Sequence, residues 1–173
     1  LFGAGHPFIF SLACLLGVDL FDSAYYVLAA KRGKYLLPSG QAFDVKSMKD
    51  VVCHCPVCSS LSIKEFNERD LALHNLYAIA QELRIVKEAI REERLWELVE
   101  QRIRAHPSLV KAYLQLKKYR EFLEKYEPLS RKRGIFYLGK ESEIRPVFSV
   151  TKKRIKEIKG RRHFYWLKMK VPV

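Results

Sequence analysis

The chain has 173 residues, 49% of them hydrophobic and 29% charged, and its net charge is +13. That balance suits one globular domain with its own core, or one domain with an appendage, and excludes a chain too polar to fold. No apolar run reaches the ~20 residues that span a bilayer, so no membrane helix is expected. The apolar stretch from Pro7 to Leu16 is too short, lacks a basic leader and a signal-peptidase site, and is not read as a signal peptide.

In chain order, Leu1-Phe2-Gly3-Ala4-Gly5-His6-Pro7 reads as a strand end turning into a helix. Gly3 and Gly5 allow a tight turn or a close approach to a ligand. Pro7 suits a first helical position, and Gly17 is placed to end a helix running from about Pro7 to Leu16. Val18-Asp19-Leu20-Phe21-Asp22 follows as a buried strand. Strand end, helix and strand together make one β/α repeat of a parallel sheet or barrel. Because the chain starts at Leu1 rather than Met, inside a motif, a truncated, processed or split protein is expected.

Residues 23–52 read as loop, with turns at Lys31-Arg32-Gly33-Lys34 and Pro38-Ser39-Gly40. Ser62-Ile63-Lys64-Glu65 has capping-box spacing. Leu73, Leu76, Ala80, Leu83, Val86 and Ile90 recur at helical period, predicting a long amphipathic helix over 70–92. Further helices are expected at 95–104 and from Pro107 to about Glu127. A short strand (135–138), a basic helix (150–159) and a final strand (164–170) complete the prediction.

Charge is concentrated at the end. Residues 131–173 hold fourteen Lys/Arg against three Glu, a surplus of eleven. With Phe164, Tyr165 and Trp166 interleaved, this tail points to a polyanion, nucleic acid first, against the plainer reading of a solvated basic surface.

Cys53-x-Cys55-x-x-Cys58 carries the most specific chemistry. A secreted disulfide framework spreads its cysteines, whereas this cluster suits a metal in a reducing cytoplasm. Zinc takes about four soft or borderline ligands in a tetrahedron, with thiolates ~2.3 Å away. For the fourth ligand His74 is best placed, on the long helix sixteen residues after Cys58; His54 and His6 are the alternatives. The plainer reading is three buried thiols beside a core histidine. Cys14 is expected to be a buried core thiol.

Asp22 closes its strand where α/β sheets and barrels place active sites. A carboxylate there can act on a substrate, cap a helix or hold an arginine, and Asp19 is a weaker candidate on the opposite face. Lys31, Arg32 and Lys34 could meet phosphates or simply form an exposed turn.

Five separated stretches, LFGAGHP (1–7), DLFDSAYYVLAAK (19–31), CHCPVC (53–58), LALHNLY (71–77) and HPSLVKAYLQL (106–116), resemble the archaeal tRNA-guanine(15) transglycosylases, in that family's order. Bacterial queuine-type relatives share the zinc pattern and the Phe-Asp pair, but continue differently from Ser23-Ala24-Tyr25-Tyr26.

The resemblance implies an α/β fold, the C-terminal part of a (β/α)8 barrel with a zinc subdomain at about 43–75, all within residues 1–127. Residues 128–173 would be a basic segment beginning an RNA-binding unit. It implies Asp22 as the nucleophile, Phe2 and Gly3 beside the base, and one structural zinc on Cys53, Cys55, Cys58 and His74; Lys31 and Arg32 are expected at substrate phosphates on their charge and place alone. The implied partners are tRNA, guanine and a 7-deazaguanine base (preQ0), with a separate N-terminal half or a homodimer as possible assemblies. The barrel's earlier β/α units, including the general acid/base aspartate, are absent. The competing readings are a non-catalytic zinc-containing tRNA-binding subunit and an unrelated zinc ribbon.

Overall fold

A computed structural model of the chain describes residues 1–127 and 134–159. Its spine is a 24-residue helix, α3, Glu68–Arg91. Asn67 caps it, accepting from the Asp70 amide at 3.0 Å, and Glu68 and Asp70 set negative charge on the first turn, where the helix dipole favours it. Its buried residues Leu71, His74, Asn75, Ala78, Glu82 and Val86 recur at helical spacing. Half of that stripe is polar, and buried polar groups need partners. Glu82 finds Arg102 through two bonds of 2.7 and 2.9 Å. His74 and Asn75 turn the other way, to a hairpin.

Four elements pack on the spine. After a single 3-10 turn, Pro7–Ile9, comes α1 (Phe10–Leu15), and α4 (Leu95–Arg102) packs beside it. Phe10, Val86 and Leu98 join α1, α3 and α4. The third element is α2 (Tyr25–Lys31), which lays Ala29 against Ala78. The fourth is the antiparallel hairpin of β1 (Lys34–Leu36) and β2 (Ala42–Asp44), with Tyr35 opposite Phe43.

The largest apolar centre includes Leu12, Trp96, Val99, Tyr113 and Leu123, enclosed by α1, α4, α5 (Pro107–Gln115) and α6 (Arg120–Tyr126). The chain then returns as α7 (Pro146–Lys159). Ser149 donates to Glu124 at 2.5 Å, and Lys153 pairs with the same carboxylate at 3.0 Å. Fully buried Arg145 pairs with Glu97 at 2.8 Å, and Ser142 donates to Glu100 at 2.8 Å, fixing the approach to α7 on α4.

Several predicted elements hold: the helices beginning near 7, 70, 95 and 107, the glycine stop at Gly17 (φ +88°) and the basic helix before 159. The Ser62–Glu65 capping box forms, but it heads a single 3-10 turn (Ile63–Glu65) ahead of the long helix.

Others need correction. The strand expected at 18–22 is one parallel bridge, Phe2 with Asp22, and Leu20 is 80% exposed. A parallel strand is buried only when covered on both faces, and here a single neighbour pairs with it among the described residues. The region 23–52 contains α2 and the hairpin: Tyr25-Tyr26-Val27-Leu28-Ala29-Ala30 propagates a helix that Gly33 (φ +65°) ends. The third helix is interrupted by a 3-10 stretch, Leu116–Tyr119.

Residues 135–138 form no strand. They belong to no regular element and are held by side chains, Phe136 beneath the Arg94 guanidinium at 5.2 Å and Tyr137 against Phe148 at 5.9 Å. Cys14 is half-buried beside the Phe10 cluster. The strand predicted at 164–170 and its aromatics lie outside the described residues. No helix among the described residues is long and apolar enough to cross a membrane.

Candidate metal centre and strand-end carboxylate

Three cysteines reach one point because the chain turns tightly between them. The Ser59 amide donates to the Cys55 carbonyl at 2.9 Å, and the Leu61 amide to Val57 at 3.1 Å. This folds Cys55 and Cys58 onto one side, while the Cys55 amide donates to Cys53 Sγ at 3.3 Å. Helix α3 brings His74 up from below. The donor atoms of Cys53, Cys55, Cys58 and His74 all lie within 4.8 Å of one another. His54 is exposed outside the cluster, and His6 caps the first turn, its ring against Phe8 and Tyr25.

The histidine is oriented for ligation. Its Nε2 donates to the Leu36 carbonyl at 2.9 Å, which leaves Nδ1 free toward the sulfurs, 3.3 Å from Cys58 and 3.5 Å from Cys55. Tetrahedral zinc with sulfur and imidazole ligands sets those atoms ~3.5 Å apart. Burial lowers the His74 pKa and so favours the neutral, ligating form. Burial also pushes the Cys58 thiol up to about 12 and raises Cys53. Without a cation these thiols hold their protons; a bound divalent ion reverses that preference.

The four residues therefore fit one ion with a soft, closed donor set. A site whose positions are all filled by protein is structural, since no water or substrate can enter it.

Two residues around the centre were invisible in the sequence patterns. Tyr35 is wholly buried, with its hydroxyl 3.1 Å from Cys58 Sγ and its ring stacked on His74 at 3.6 Å. Asn75 clamps the hairpin to α3. Its carbonyl oxygen accepts from the Leu36 amide at 2.9 Å, and its amide donates to Lys34 at 2.9 Å and Tyr26 at 3.2 Å. Asn75 gave no hint, because the apolar stripe read on this helix, Leu73 to Ile90, runs along a different face.

The second cluster is built by backbone. The Gly3 amide donates to the Asp22 carbonyl at 2.7 Å, and the Asp22 amide to Leu1 at 3.1 Å. This sets Phe2, Gly3 and Asp22 side by side. The Asp22 side chain is exposed and Phe2 is 88% exposed. Lys31 and Arg32 sit exposed at the C-terminal end of α2, while Lys34 pairs with Asp44 at 3.5 Å. An apolar cleft lined by Cys14, Ile90, Trp96 and Leu123 contains none of these candidate residues.

Gly5 has a specific reason to be glycine. A Cβ there would lie 2.0 Å from Ser23 Oγ, and that oxygen accepts the Tyr25 amide at 3.0 Å. Gly5→Ala must displace Ser23, the residue after Asp22. It is expected to destabilise the protein by about 1–3 kcal/mol, read as a lower thermal midpoint. An unchanged midpoint would show that Ser23 moves freely.

Comparison with known proteins gives the kinship of the chain. The family model for queuine tRNA-ribosyltransferase matches residues 1–108. A tRNA-guanine(15) transglycosylase of Methanocaldococcus jannaschii is 46% identical over 168 residues, covering 92% of this chain and 26% of that protein. Proteins of the same name from Pyrococcus furiosus and Thermococcus onnurineus are 45% and 44% identical, each covering 93% of this chain and 28% and 29% of their own lengths. The chain thus spans about a quarter of the length of these curated relatives.

Proposed function

The chain belongs to the queuine tRNA-ribosyltransferase family, and from that premise we propose that it is the C-terminal catalytic portion of a tRNA-guanine transglycosylase. The reaction replaces guanine in tRNA by a 7-deazaguanine base, preQ0. Asp22 is the nucleophile. Its carboxylate attacks C1′ of the target ribose as the bond to guanine N9 breaks; a general acid from the rest of the protein protonates the leaving guanine and, as its conjugate base, takes the N9 proton of the incoming base. The incoming base then displaces Asp22, so two inversions retain configuration, as in retaining glycosidases.

The observation that carries this reading is the pairing of an exposed Asp22 with Phe2 and Gly3 by parallel backbone hydrogen bonds. It supports the sugar and its base meeting at one strand end, where α/β barrels gather their reacting groups. On this reading residues 1–127 complete a (β/α)8 barrel supplied by the rest of the protein, with a zinc subdomain at about 43–75. Phe2 and Gly3 border the base, and Lys31 and Arg32 meet backbone phosphates. The protein works in the cytoplasm. The test is exchange of labelled guanine in tRNA by the full-length, zinc-replete protein. Tight tRNA binding with no exchange would favour a non-catalytic tRNA-binding subunit.

The basic segment from residue 128 holds the tRNA. Lys152, Lys153, Arg154 and Lys156 of α7 are exposed on one continuous helix. Binding through them depends on released counterions, so log affinity should fall against log salt by about 0.9 per neutralised phosphate in duplex regions. Replacing these four by Ala should flatten the slope; an unchanged slope would remove α7 from the interface.

A further inference from the structure

We propose that Tyr35 is a positioning residue of the metal centre, its hydroxyl donating to the Cys58 thiolate and its ring fixing the His74 plane, so that it sets how tightly the ion is held. This rests on the Cys53, Cys55, Cys58 and His74 site holding a metal.

Charge is the first argument. Three thiolates and a neutral imidazole around a divalent cation leave one net negative charge. Cys58 and His74 are buried, and a buried charge is costly unless hydrogen bonds support it. The Cys55 amide supports Cys53. The Tyr35 hydroxyl, 3.1 Å from Cys58 Sγ, supports the most buried of the three sulfurs.

Direction is the second. Between phenol and thiol either atom can donate. Once Cys58 is a thiolate, only the phenol has a proton to give. Metal binding therefore turns an ambiguous neutral contact into a charge-assisted bond, which is shorter and stronger. An interaction that strengthens on binding adds to affinity.

Geometry is the third. The Tyr35 ring lies 3.6 Å from the imidazole at 21°, and Nε2 is held by Leu36, the next residue along β1. Ring plane and tautomer are thus both set from one strand, as outer partners of metal-bound histidines do.

Tyr35→Phe keeps the stacked ring and removes the oxygen. In the full-length protein we expect its zinc dissociation constant, measured by chelator competition, to rise about tenfold. In the cobalt-substituted protein the sulfur-to-metal charge-transfer band should move to lower energy, because an unsupported thiolate gives up its electrons more readily. The metal-bound form should lose thermal midpoint while the metal-free form does not. A dissociation constant within about twofold of wild type with an unmoved cobalt band would overturn the proposal. So would an equal loss of midpoint in both forms, which marks packing alone. A wild-type protein that takes up neither zinc nor cobalt would instead overturn the metal site itself.

Discussion

Replacing Cys58 by serine is expected to release the metal and open residues 45–66 while the helical core stands. Between β2 and α3 the only regular elements are two 3-10 turns, Val45–Ser47 and Ile63–Glu65. Few main-chain bonds hold such a segment, so its order depends on the small cluster of Tyr35, Cys58, Ile63 and Leu71 and on the ion. Structural zinc contributes on the order of 10 kcal/mol to small zinc modules at neutral pH. If only about 3 kcal/mol of that is lost locally, the open fraction rises about a hundredfold. The centre built on Trp96, Val99 and Tyr113 shares no buried residue with that cluster, so the far helices should survive.

Cys58→Ser should therefore lose one equivalent of zinc and be cut by protease within 45–66, with helical circular dichroism largely retained. Retention of a full equivalent would remove Cys58 from the ligand set. In wild type the same opening should appear as pH falls. The buried thiols have raised pKa values, so protons compete with the ion more strongly as acidity increases.

Asp22→Asn is expected to abolish base exchange in the full-length enzyme, by roughly a thousandfold or more, and to leave tRNA binding intact. The amide has the carboxylate's shape but neither its charge nor its nucleophilicity. Both losses bear on the same step, because expelling a purine develops positive charge at C1′ that an adjacent anion stabilises before bonding to it. The fold should tolerate the change. Asp22 is tied in place by its amide and carbonyl, which the substitution preserves, and exposed substitutions of this kind usually cost within about 0.5 kcal/mol. Trapping a covalent tRNA adduct with wild type, and none with Asp22→Asn, is the direct measurement. Appreciable exchange by the variant would place the nucleophile elsewhere, with Asp19 next to examine.

The readings that succeeded were local ones. Cys53, Cys55 and Cys58 are close in sequence, and metal geometry limits what such spacing can do, so their clustering with His74, preferred over His54 and His6, was legible before any fold was known. The long helix was legible as a helix, but its buried face was not: of Leu73, Leu76, Ala80, Leu83, Val86 and Ile90 only Val86 is buried, while Leu71, His74, Asn75, Ala78 and Glu82 turn inward. Elements defined by distant partners were not. The strand at 18–22 needs neighbours to be a strand, and its sequence reads the same whether they are present or not. The break at Leu116–Tyr119 carries no Pro or Gly to announce it. Tyr35 gave no signal because its role is set by a thiol 23 positions away. The hairpin was hidden by the basic turn at Lys31–Lys34, which reads as loop by composition but ends a helix and begins a strand.

Asn75 recognises only main chain: the Leu36 amide and the carbonyls of Lys34 and Tyr26. Such a clamp is indifferent to the side chains it grips. Changing the side chains of Tyr26 and Lys34 leaves the three Asn75 bonds that seat α2 and the hairpin on α3 with their partners. The freedom to vary those side chains is thereby separated from the duty of holding the two elements, which falls to Asn75 together with the His74 bond to Leu36 and the packing of Ala29 on Ala78.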